Sequence, residues 1–224
     1  MALIAPALLA ADFTRLGDAL RFIKESGAPM VHVDVMDGHF VPHISVGQPV
    51  IKSVRRATDL VLDVHLLIER PERYVQEFVE IGADRIAIHA EATPNLHKVL
   101  RMIQAGGTQA GLALNPSTAI ESVADALGEI ACLLILSADL GFADSPFLPR
   151  TLAKVRTASG VRRDRRLDFA IQVEGGIGEE QIEPLGEAGA DILVAGSDIF
   201  QKDPGRRLAE LVRRAASLRQ VSRV

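Results

Sequence analysis

Two histidines and two carboxylates lie at or near the ends of three apolar runs, and their types suit metal binding and proton transfer. His32 and Asp34 are two residues apart in one run, so strand alternation places both side chains on one face. His65 and Glu174 lie near the ends of two later runs. Imidazole nitrogens and carboxylate oxygens bind Zn²⁺, Mn²⁺, Fe²⁺ or Co²⁺ without selecting among them. We therefore expect one divalent metal ion where the four side chains converge.

A second feature is a pair of glycine-containing loops late in the chain. Gly175 and Gly176 follow Glu174 directly, and Gly196 and Ser197 follow a later apolar run. Backbone N–H groups at a helix N-terminus bind a phosphate dianion without Lys or Arg, and glycine lets the backbone approach closely. The two loops are therefore predicted to bind phosphate.

These residues need elements that hold them together, and the chain alternates apolar runs with helical stretches. The runs are short, β-branched or Leu-rich and often apolar on both faces, which is typical of parallel strands covered on both sides. The predicted strands are Leu3–Pro6, Met30–Met36, Val61–Leu67, Arg85–His89, Ala110–Leu114, Cys132–Leu136, Phe169–Glu174 and Ile192–Ala195. The predicted helices are Phe13–Glu25, Gln48–Arg56, Pro71–Ile81, Pro94–Ala105, Ser117–Ala126, Phe147–Ser159, Gln181–Ala188 and Pro204–Leu218.

A weak internal repeat favours eight equal units. Gly27, Gly82 and Gly189 each precede a predicted strand, at the position where glycine ends a helix. Their spacings are multiples of about 27 residues, and 224 residues give eight units of about 28. The pattern predicts the α/β class, as a single-domain (β/α)8 TIM barrel over residues 1–224. An open doubly wound sheet is the alternative, but the turn after the first strand lacks its glycine-rich fingerprint.

Composition excludes several other classes. Hydrophobic residues make up 48% of the chain and charged residues 24%, which is too apolar for a disordered protein. A single cysteine excludes a disulfide scaffold and a thiolate zinc cluster. The net charge of −4 gives no reason to expect nucleic-acid binding. No run approaches a membrane span, and Ala2–Ala11 lacks the basic start of a signal peptide, so we expect a cytoplasmic protein.

The candidate residues also lie in motifs that resemble the ribulose-phosphate 3-epimerase family. The most specific motif is His32-Val33-Asp34-Val35-Met36-Asp37-Gly38-His39-Phe40-Val41-Pro42. Further similar segments are Asp63-Val64-His65-Leu66, Arg70-Pro71-Glu72-Arg73-Tyr74, Leu114-Asn115-Pro116, Gly141-Phe142, Gly175-Gly176-Ile177 and Val194-Ala195-Gly196-Ser197. They follow the family's order over nearly the whole chain.

The resemblance implies a metal-dependent isomerase with a barrel of the ribulose-phosphate-binding type, which inverts C3 of a ketose 5-phosphate in the pentose phosphate pathway. His32, Asp34, His65 and Glu174 would bind the metal ion. Asp34 and Glu174 would also be catalytic, exchanging the C3 proton on opposite faces of a cis-enediolate. Substrate contacts are implied at His65, Gly141, Phe142, Ala143, Gly175, Gly176, Gly196 and Ser197. A homo-oligomer is implied as well, because family members often assemble.

These residue types suit the chemistry for physical reasons. A proton beside a ketone is too weakly acidic for a free carboxylate to remove, so a Lewis acid must stabilise the developing oxyanion. Inversion then requires one acid/base on each face of the planar intermediate. A single base would tend to return the proton to the face from which it came.

The chain departs from the family pattern near the expected substrate. Glu174 stands where the family has Asp, and Ala10 stands where it has a substrate-contacting Ser. Leu67 and Leu136 replace two of three methionines that shield the metal. The family's Asn-Pro-Gly-Phe-Gly-Gly-Gln loop reads Asp139-Leu140-Gly141-Phe142-Ala143-Asp144-Ser145 here, which is similar to allulose-6-phosphate epimerases. Its added acid, Asp144, would repel a phosphate dianion unless it points away.

Three functional hypotheses remain open at this point. The first is 3-epimerisation of ribulose 5-phosphate to xylulose 5-phosphate. The second is 3-epimerisation of another ketose phosphate with four to six carbons, a tetrulose or hexulose phosphate such as allulose 6-phosphate. The third is a metal- or sugar-phosphate-binding protein without turnover. The four retained metal-binding residues favour an enzyme, whereas the altered loop favours the second or third hypothesis.

Overall fold

Eight parallel strands form one sheet in the computed structural model, which describes residues 2–139, 145–200 and 203–217. Each strand pairs with the next along the chain from β2 to β8, and β8 pairs with β1. The strands are β1 Leu3–Pro6, β2 Met30–Met36, β3 Val61–Leu67, β4 Arg85–His89, β5 Gln109–Leu114, β6 Cys132–Leu136, β7 Ala170–Glu174 and β8 Ile192–Ala195.

A single parallel bridge between Ala7 and His32 joins the end of β1 to β2, so the sheet is nearly closed. The architecture is the (β/α)8 TIM barrel that the sequence predicts, and all eight predicted strands are present. Because every strand is parallel, all the strand C-terminal ends lie at one end of the barrel. That end is where barrels of this type place their functional residues.

Helices connect most of the strands and cover the outside of the barrel. The α-helices of the described residues are α1 Leu16–Glu25, α2 Gln48–Ala57, α3 Val75–Ile81, α4 Leu96–Ala105, α5 Thr151–Asp164, α6 Glu179–Ala188 and α7 Pro204–Ser217. Seven predicted helices are therefore present, with shifted ends; the largest shift moves Phe147–Ser159 to Thr151–Asp164. None of these helices combines the length and apolar character needed to cross a bilayer.

The predicted helix Ser117–Ala126 is wrong. This segment forms short 3₁₀ turns at Ile120–Val123 and Ala126–Gly128. The cause lies just before the turns, where the Asn115 N–H and the Thr118 hydroxyl both donate to the carboxylate of Glu91. These bonds hold the start of the segment against the loop after β4, and this long-range contact competes with the local helical preference.

Side chains alternate along each strand between two buried regions, the layer beneath the helices and the lumen of the barrel. Outward-facing residues such as Val33, Val64 and Ile88 are buried beneath the helices and belong to the main hydrophobic core. Inward-facing residues fill the barrel lumen, and many of them are polar. Buried polar residues on the strands are His32, Asp34, Asp63, His65, Arg85, His89, Gln172 and Glu174. The outer apolar core holds the strands in register, and this register positions the polar groups inside.

Candidate metal centre and active site

The four residues predicted to bind a metal ion meet at the C-terminal end of the barrel. Each offers one ligand atom, and the four atoms lie within 4.8 Å of one another. Asp34 and His65 are paired across β2 and β3 by the strand register. Glu174 reaches them from β7 across the lumen, since β7 is not a neighbour of either strand. All four residues are buried.

The distances within this cluster are short. Nδ1 of His65 lies 3.1 Å from Oδ1 of Asp34 and 3.0 Å from Oε2 of Glu174. Nε2 of His32 lies 3.3 Å from the same Asp34 oxygen and 3.4 Å from the same Glu174 oxygen. Two nitrogens and two oxygens therefore point at a common centre.

Two of these atoms show that the cluster fits a divalent cation. Nε2 of His32 and Oε2 of Glu174 are buried and have no hydrogen-bond partner among the described residues. A buried polar atom without a partner costs roughly 1–3 kcal/mol, more if it is charged. A cation at the common centre would satisfy both atoms, and the nitrogen and oxygen donors suit Zn²⁺, Fe²⁺, Mn²⁺ or Co²⁺ alike.

The electrostatics of the cluster are those of ionised acids beside basic imidazoles. Burial acts to lower the pKa of His32, but the carboxylates of Asp34, Glu174 and Asp63 outweigh it and raise that pKa well above its usual value. Burial acts to raise the pKa of Asp34, but His32 and His65 hold it well below its usual range. Metal binding would thus displace protons from the imidazoles while the Asp34 carboxylate stays ionised.

His32 is oriented from below by residues that sequence reasoning did not select. Its Nδ1 lies 2.7 Å from Oδ2 of Asp63, and Nε2 of Gln172 donates to the same oxygen at 2.7 Å. Because its Nδ1–H donates to the Asp63 carboxylate, His32 presents Nε2 to the cluster. Asp63 precedes His65 by two residues, and Gln172 precedes Glu174 by two. The same alternation that located the cluster could therefore have located this layer.

His65 is also contacted from behind. Its Nε2 lies 2.9 Å from Nε2 of His89, a fully buried residue at the end of β4. Burial lowers the pKa of His89 to about 4, so its imidazole is neutral at neutral pH. His89 was not singled out from the sequence as a functional residue. The structure places it in direct contact with a candidate metal ligand.

The two glycine loops line the same cavity as the carboxylates. This cavity has a volume of about 310 Å³ and opens at the C-terminal end of the barrel. Its lining includes Asp34, Glu174, Gly175, Gly176, Gly196 and Ser197. The first loop leads into α6, whose first turn starts after Gly178. The geometry brings together the predicted metal-binding and phosphate-binding residues, with Gly141, Phe142, Ala143 and Asp144 lying outside the described residues.

Comparison with known proteins gives the same family as the sequence motifs. The model of the ribulose-phosphate 3 epimerase family matches residues 3–200. The chain is 38% identical to ribulose-phosphate 3-epimerase of Bacillus subtilis (strain 168) over 210 residues, covering 93% of this chain and 97% of that protein. It is 45% identical to ribulose-phosphate 3-epimerase of Chlamydia muridarum over 203 residues, covering 90% and 89%.

Solved structures resemble the chain in fold at low sequence identity. A 3-hexulose-6-phosphate synthase superposes with a TM-score of 0.62 at 20% identity, covering 96% of this chain and 99% of that one. The thiamine phosphate pyrophosphorylase of Pyrococcus furiosus gives 0.66 at 15% identity, covering 97% and 96%. At such identities the likeness supports the barrel fold alone.

Proposed function

The chain belongs to the ribulose-phosphate 3-epimerase family, and from that premise we propose that it converts ribulose 5-phosphate to xylulose 5-phosphate by inverting C3. The match to the family model confirms the resemblance found in the motifs. The names of the relatives describe isomerases that act on carbohydrates. One observation supports the proposed inversion of C3. Asp34 and Glu174, from strands on different sides of the lumen, bring two carboxylates to one cavity beside two buried histidines.

His32, Asp34, His65 and Glu174 are the residues that would hold the divalent ion. When bound there, the ion supplies Lewis-acid polarisation of the ketone oxygen, which stabilises the negative charge that develops as the C3 proton leaves. The residues around the cluster prepare it for this task. Asp63 directs one nitrogen of His32 toward the centre, and burial excludes water that would weaken electrostatic stabilisation.

The two carboxylates carry the proton transfers. Asp34 takes the C3 proton of ribulose 5-phosphate from one face and becomes protonated. Glu174 enters the step as the carboxylic acid, gives its proton to C3 on the opposite face and is left ionised. Both residues line the cavity, so both can reach a sugar bound in it. A low pKa keeps Asp34 ionised, and the ionised carboxylate is the form that can accept a proton. The planar species between the two steps is a cis-enediolate of the sugar.

The glycine loops hold the phosphate at the far side of the cavity. Gly175 and Gly176 have φ angles of 112° and 62°, in the region that favours glycine. Their conformation turns the chain from β7 toward the N-terminus of α6, where backbone N–H groups favour an anion. Gly196 and Ser197 border the same space after β8. We propose that residues 141–143 and His65 complete the contacts with the sugar.

A second candidate function is 3-epimerisation of another ketose phosphate, such as a tetrulose or a hexulose 6-phosphate. It is favoured by Ala10, which lines the cavity where the family has a Ser, and by Glu174, which is longer than the family's Asp. Both changes alter the part of the cavity that faces the sugar. A binding protein without turnover is the third possibility, since the substitutions lie beside the proton-transfer groups.

Incubation in D₂O with a panel of ketose phosphates separates the three. The metal-loaded protein should incorporate deuterium at C3 of ribulose 5-phosphate and form xylulose 5-phosphate. Exchange only with a hexulose or tetrulose phosphate would support the second candidate. Absence of exchange with every sugar would leave a binding protein.

The variant D34N tests the assignment of the base. The carboxamide keeps the size of the side chain but cannot accept the C3 proton, so epimerisation should be abolished. The matched control is D59N, which makes the same change at an exposed ion pair with Lys24. Substantial turnover by D34N in the same assay would show that another residue is the base.

A further inference from the structure

We propose that His89 and Glu91 are positioning residues that fix the proton of His65 on Nε2, so that its Nδ1 lone pair faces the metal centre. The inference rests on the metal site of the proposed function. It concerns two residues that lie outside that cluster, one at the end of β4 and one in the turn that follows.

The three side chains form a continuous chain of contacts. Nε2 of His65 lies 2.9 Å from Nε2 of His89. Nδ1 of His89 lies 3.1 Å from Oε2 of Glu91. The centroids of the two imidazole rings are 5.0 Å apart and their planes differ by 27°, so the rings meet edge to edge through their Nε2 atoms. Each contact joins two groups that can bond only if one donates, so the proton positions along the chain depend on one another.

The direction of donation is set at the carboxylate end. Oε1 of Glu91 accepts from the N–H of Asn115 at 2.9 Å and from the hydroxyl of Thr118. Oε2 of the ionised carboxylate can only accept, so Nδ1 of His89 must donate to it. The 2.9 Å contact between the two Nε2 atoms needs one proton, and an imidazole that donates from Nδ1 accepts at Nε2, so Nε2 of His65 donates to His89. This leaves Nδ1 of His65 as the nitrogen that faces Asp34 and Glu174.

The surroundings restrict any other arrangement. His89 and His65 are fully buried, so no bulk water competes for their nitrogens. The ring of Phe40 packs on His89 with centroids 4.6 Å apart, which limits reorientation of the imidazole. His32 is oriented directly by the carboxylate of Asp63, whereas His65 is oriented by a carboxylate acting through a second histidine. The two candidate histidine ligands thus have separate supports of the same chemical kind.

The variant E91Q tests the direction in which the hydrogen bonds among Glu91, His89 and His65 donate. Its amide oxygen remains the acceptor for Asn115 and Thr118, so its NH₂ group faces Nδ1 of His89. In that contact Nδ1 of His89 accepts, so the proton of His89 lies on Nε2 and is donated to Nε2 of His65. The proton of His65 then lies on Nδ1, which faces the metal centre. We expect Zn²⁺ or Co²⁺ to bind about tenfold to a hundredfold more weakly, measured by titration of metal-free protein against a chromophoric chelator.

The matched control is E129Q, which makes the same change in the pair of His97 and Glu129 on the outer surface. Their contact is 2.8 Å long and lies away from the barrel lumen. E129Q should bind metal as the wild type does. Equal metal affinity of E91Q and E129Q would overturn the role of Glu91.

Substitution of His89 separates positioning from packing. H89F keeps an aromatic ring against Phe40 but offers no acceptor to His65, so metal affinity should fall as in E91Q. H89Q offers an amide oxygen to His65 and an amide N–H to Glu91, so it should recover most of the affinity. If H89F binds metal as tightly as H89Q, then His89 only fills space and the inference fails.

Proton–nitrogen correlation spectra of histidine-labelled, metal-free wild-type protein give a readout that needs neither metal nor turnover. The expected result is a His89 ring protonated on Nδ1 with a bare Nε2, and a proton on Nε2 of His65. A proton on Nε2 of His89 would overturn the inference. If the wild type binds no divalent ion, the proposed metal site fails, and these spectra still decide how His89 and His65 are arranged.

Discussion

At the scale of single residues, Glu174 is the place where the chain departs most directly from its family within the candidate centre. The added methylene does not push its carboxylate out of the cluster, because Oε2 lies 3.0 Å from Nδ1 of His65 and 3.4 Å from Nε2 of His32. The end of β7 thus accommodates the longer side chain. An aspartate at the same backbone position would hold its carboxylate about 1.5 Å farther back along the side chain.

We therefore predict that E174D lowers kcat for ribulose 5-phosphate by about a hundredfold. The substitution withdraws the carboxylate by about 1.5 Å, and a misplacement near 1 Å can cost that factor in rate. Steady-state kinetics would measure the loss, with E183D on the exposed face of α6 as the control of equal chemistry. A gain in turnover by E174D would instead identify Glu174 as a residue that turns the enzyme away from ribulose 5-phosphate.

Residue spacing predicted much of this cluster because strand alternation determines which side chains share a face. His32 and Asp34 were selected by that alternation, and His65 and Glu174 by their positions near the ends of two later strands. The structure brings the ligand atoms of all four together. Asp63, His89 and Glu91 were not selected as functional residues. Their contacts depend on the register between neighbouring strands and on a loop after β4, neither of which single-strand spacing specifies. Partners of a site are harder to predict than its ligands for that reason.

At the scale of elements, the turn after β7 is held tightly against the end of β6. The hydroxyl of Ser137 donates to the backbone oxygens of Glu174 and Gly175, at 2.8 Å and 2.6 Å. Gly175 has a φ of 112°, and a Cβ there would lie 2.7 Å from the backbone nitrogen of Ala138. The glycine is therefore required by both its conformation and its close approach.

G175A should accordingly lower the free energy of unfolding by about 1–3 kcal/mol, the cost of a strained backbone conformation with added crowding. Urea unfolding monitored by circular dichroism would measure it. G128A is the control, because a Cβ at Gly128 meets no atom within 4 Å and its φ is not positive. Equal unfolding free energies for the two variants would show that the turn relaxes without cost.

The side chain of Arg207 links the two loops that border the proposed phosphate end of the cavity. Arg207 on α7 donates to both carboxylate oxygens of Asp198, at 3.1 Å and 3.0 Å, just after Ser197. It also donates to Glu179 in the first turn of α6 at 3.0 Å. One guanidinium thus ties the start of α6 to the loop after β8.

We predict that R207K raises KM for the sugar phosphate by about twofold to fivefold and leaves kcat nearly unchanged. Lysine cannot reproduce the bidentate contact, and partly exposed ion pairs contribute only about 0.2–1 kcal/mol. Inhibition by inorganic phosphate should weaken by the same factor. R214K is the control, because Arg214 contacts Glu179 but makes no bond to Asp198. A fall in kcat without a change in KM would contradict a role in holding the phosphate loops.

The elements themselves were largely predictable, because buried parallel strands have short apolar sequences with clear ends. All eight strands were located to within one residue at each end, which is inside the normal tolerance for element ends. The segment after β5 was not, since its helical pattern competes with two hydrogen bonds to Glu91. Such long-range bonds override local propensity and leave no mark in the local sequence.

At the scale of the whole molecule, the candidate metal centre joins distant parts of the barrel. His32, Asp34 and His65 come from β2 and β3, whereas Glu174 comes from β7, on the other side of the lumen. Below this centre Gln172 of β7 donates to Asp63 of β3, and around the circumference β1 and β2 share a single bridge at Ala7 and His32. A cation bound by all four residues would link the two sides directly.

Metal binding should for this reason stabilise the entire fold. A ligand that binds only the folded state contributes about 2.7 kcal/mol at one hundred times its Kd. In a domain of this size, each kcal/mol of added unfolding free energy raises Tm by about 2–4 °C. We therefore predict that Tm rises by about 5–10 °C on saturation with Zn²⁺ or Co²⁺. Differential scanning calorimetry would measure it. D34N, which breaks the cluster, should lose most of the rise, and an undiminished rise in D34N would place the stabilising ion elsewhere.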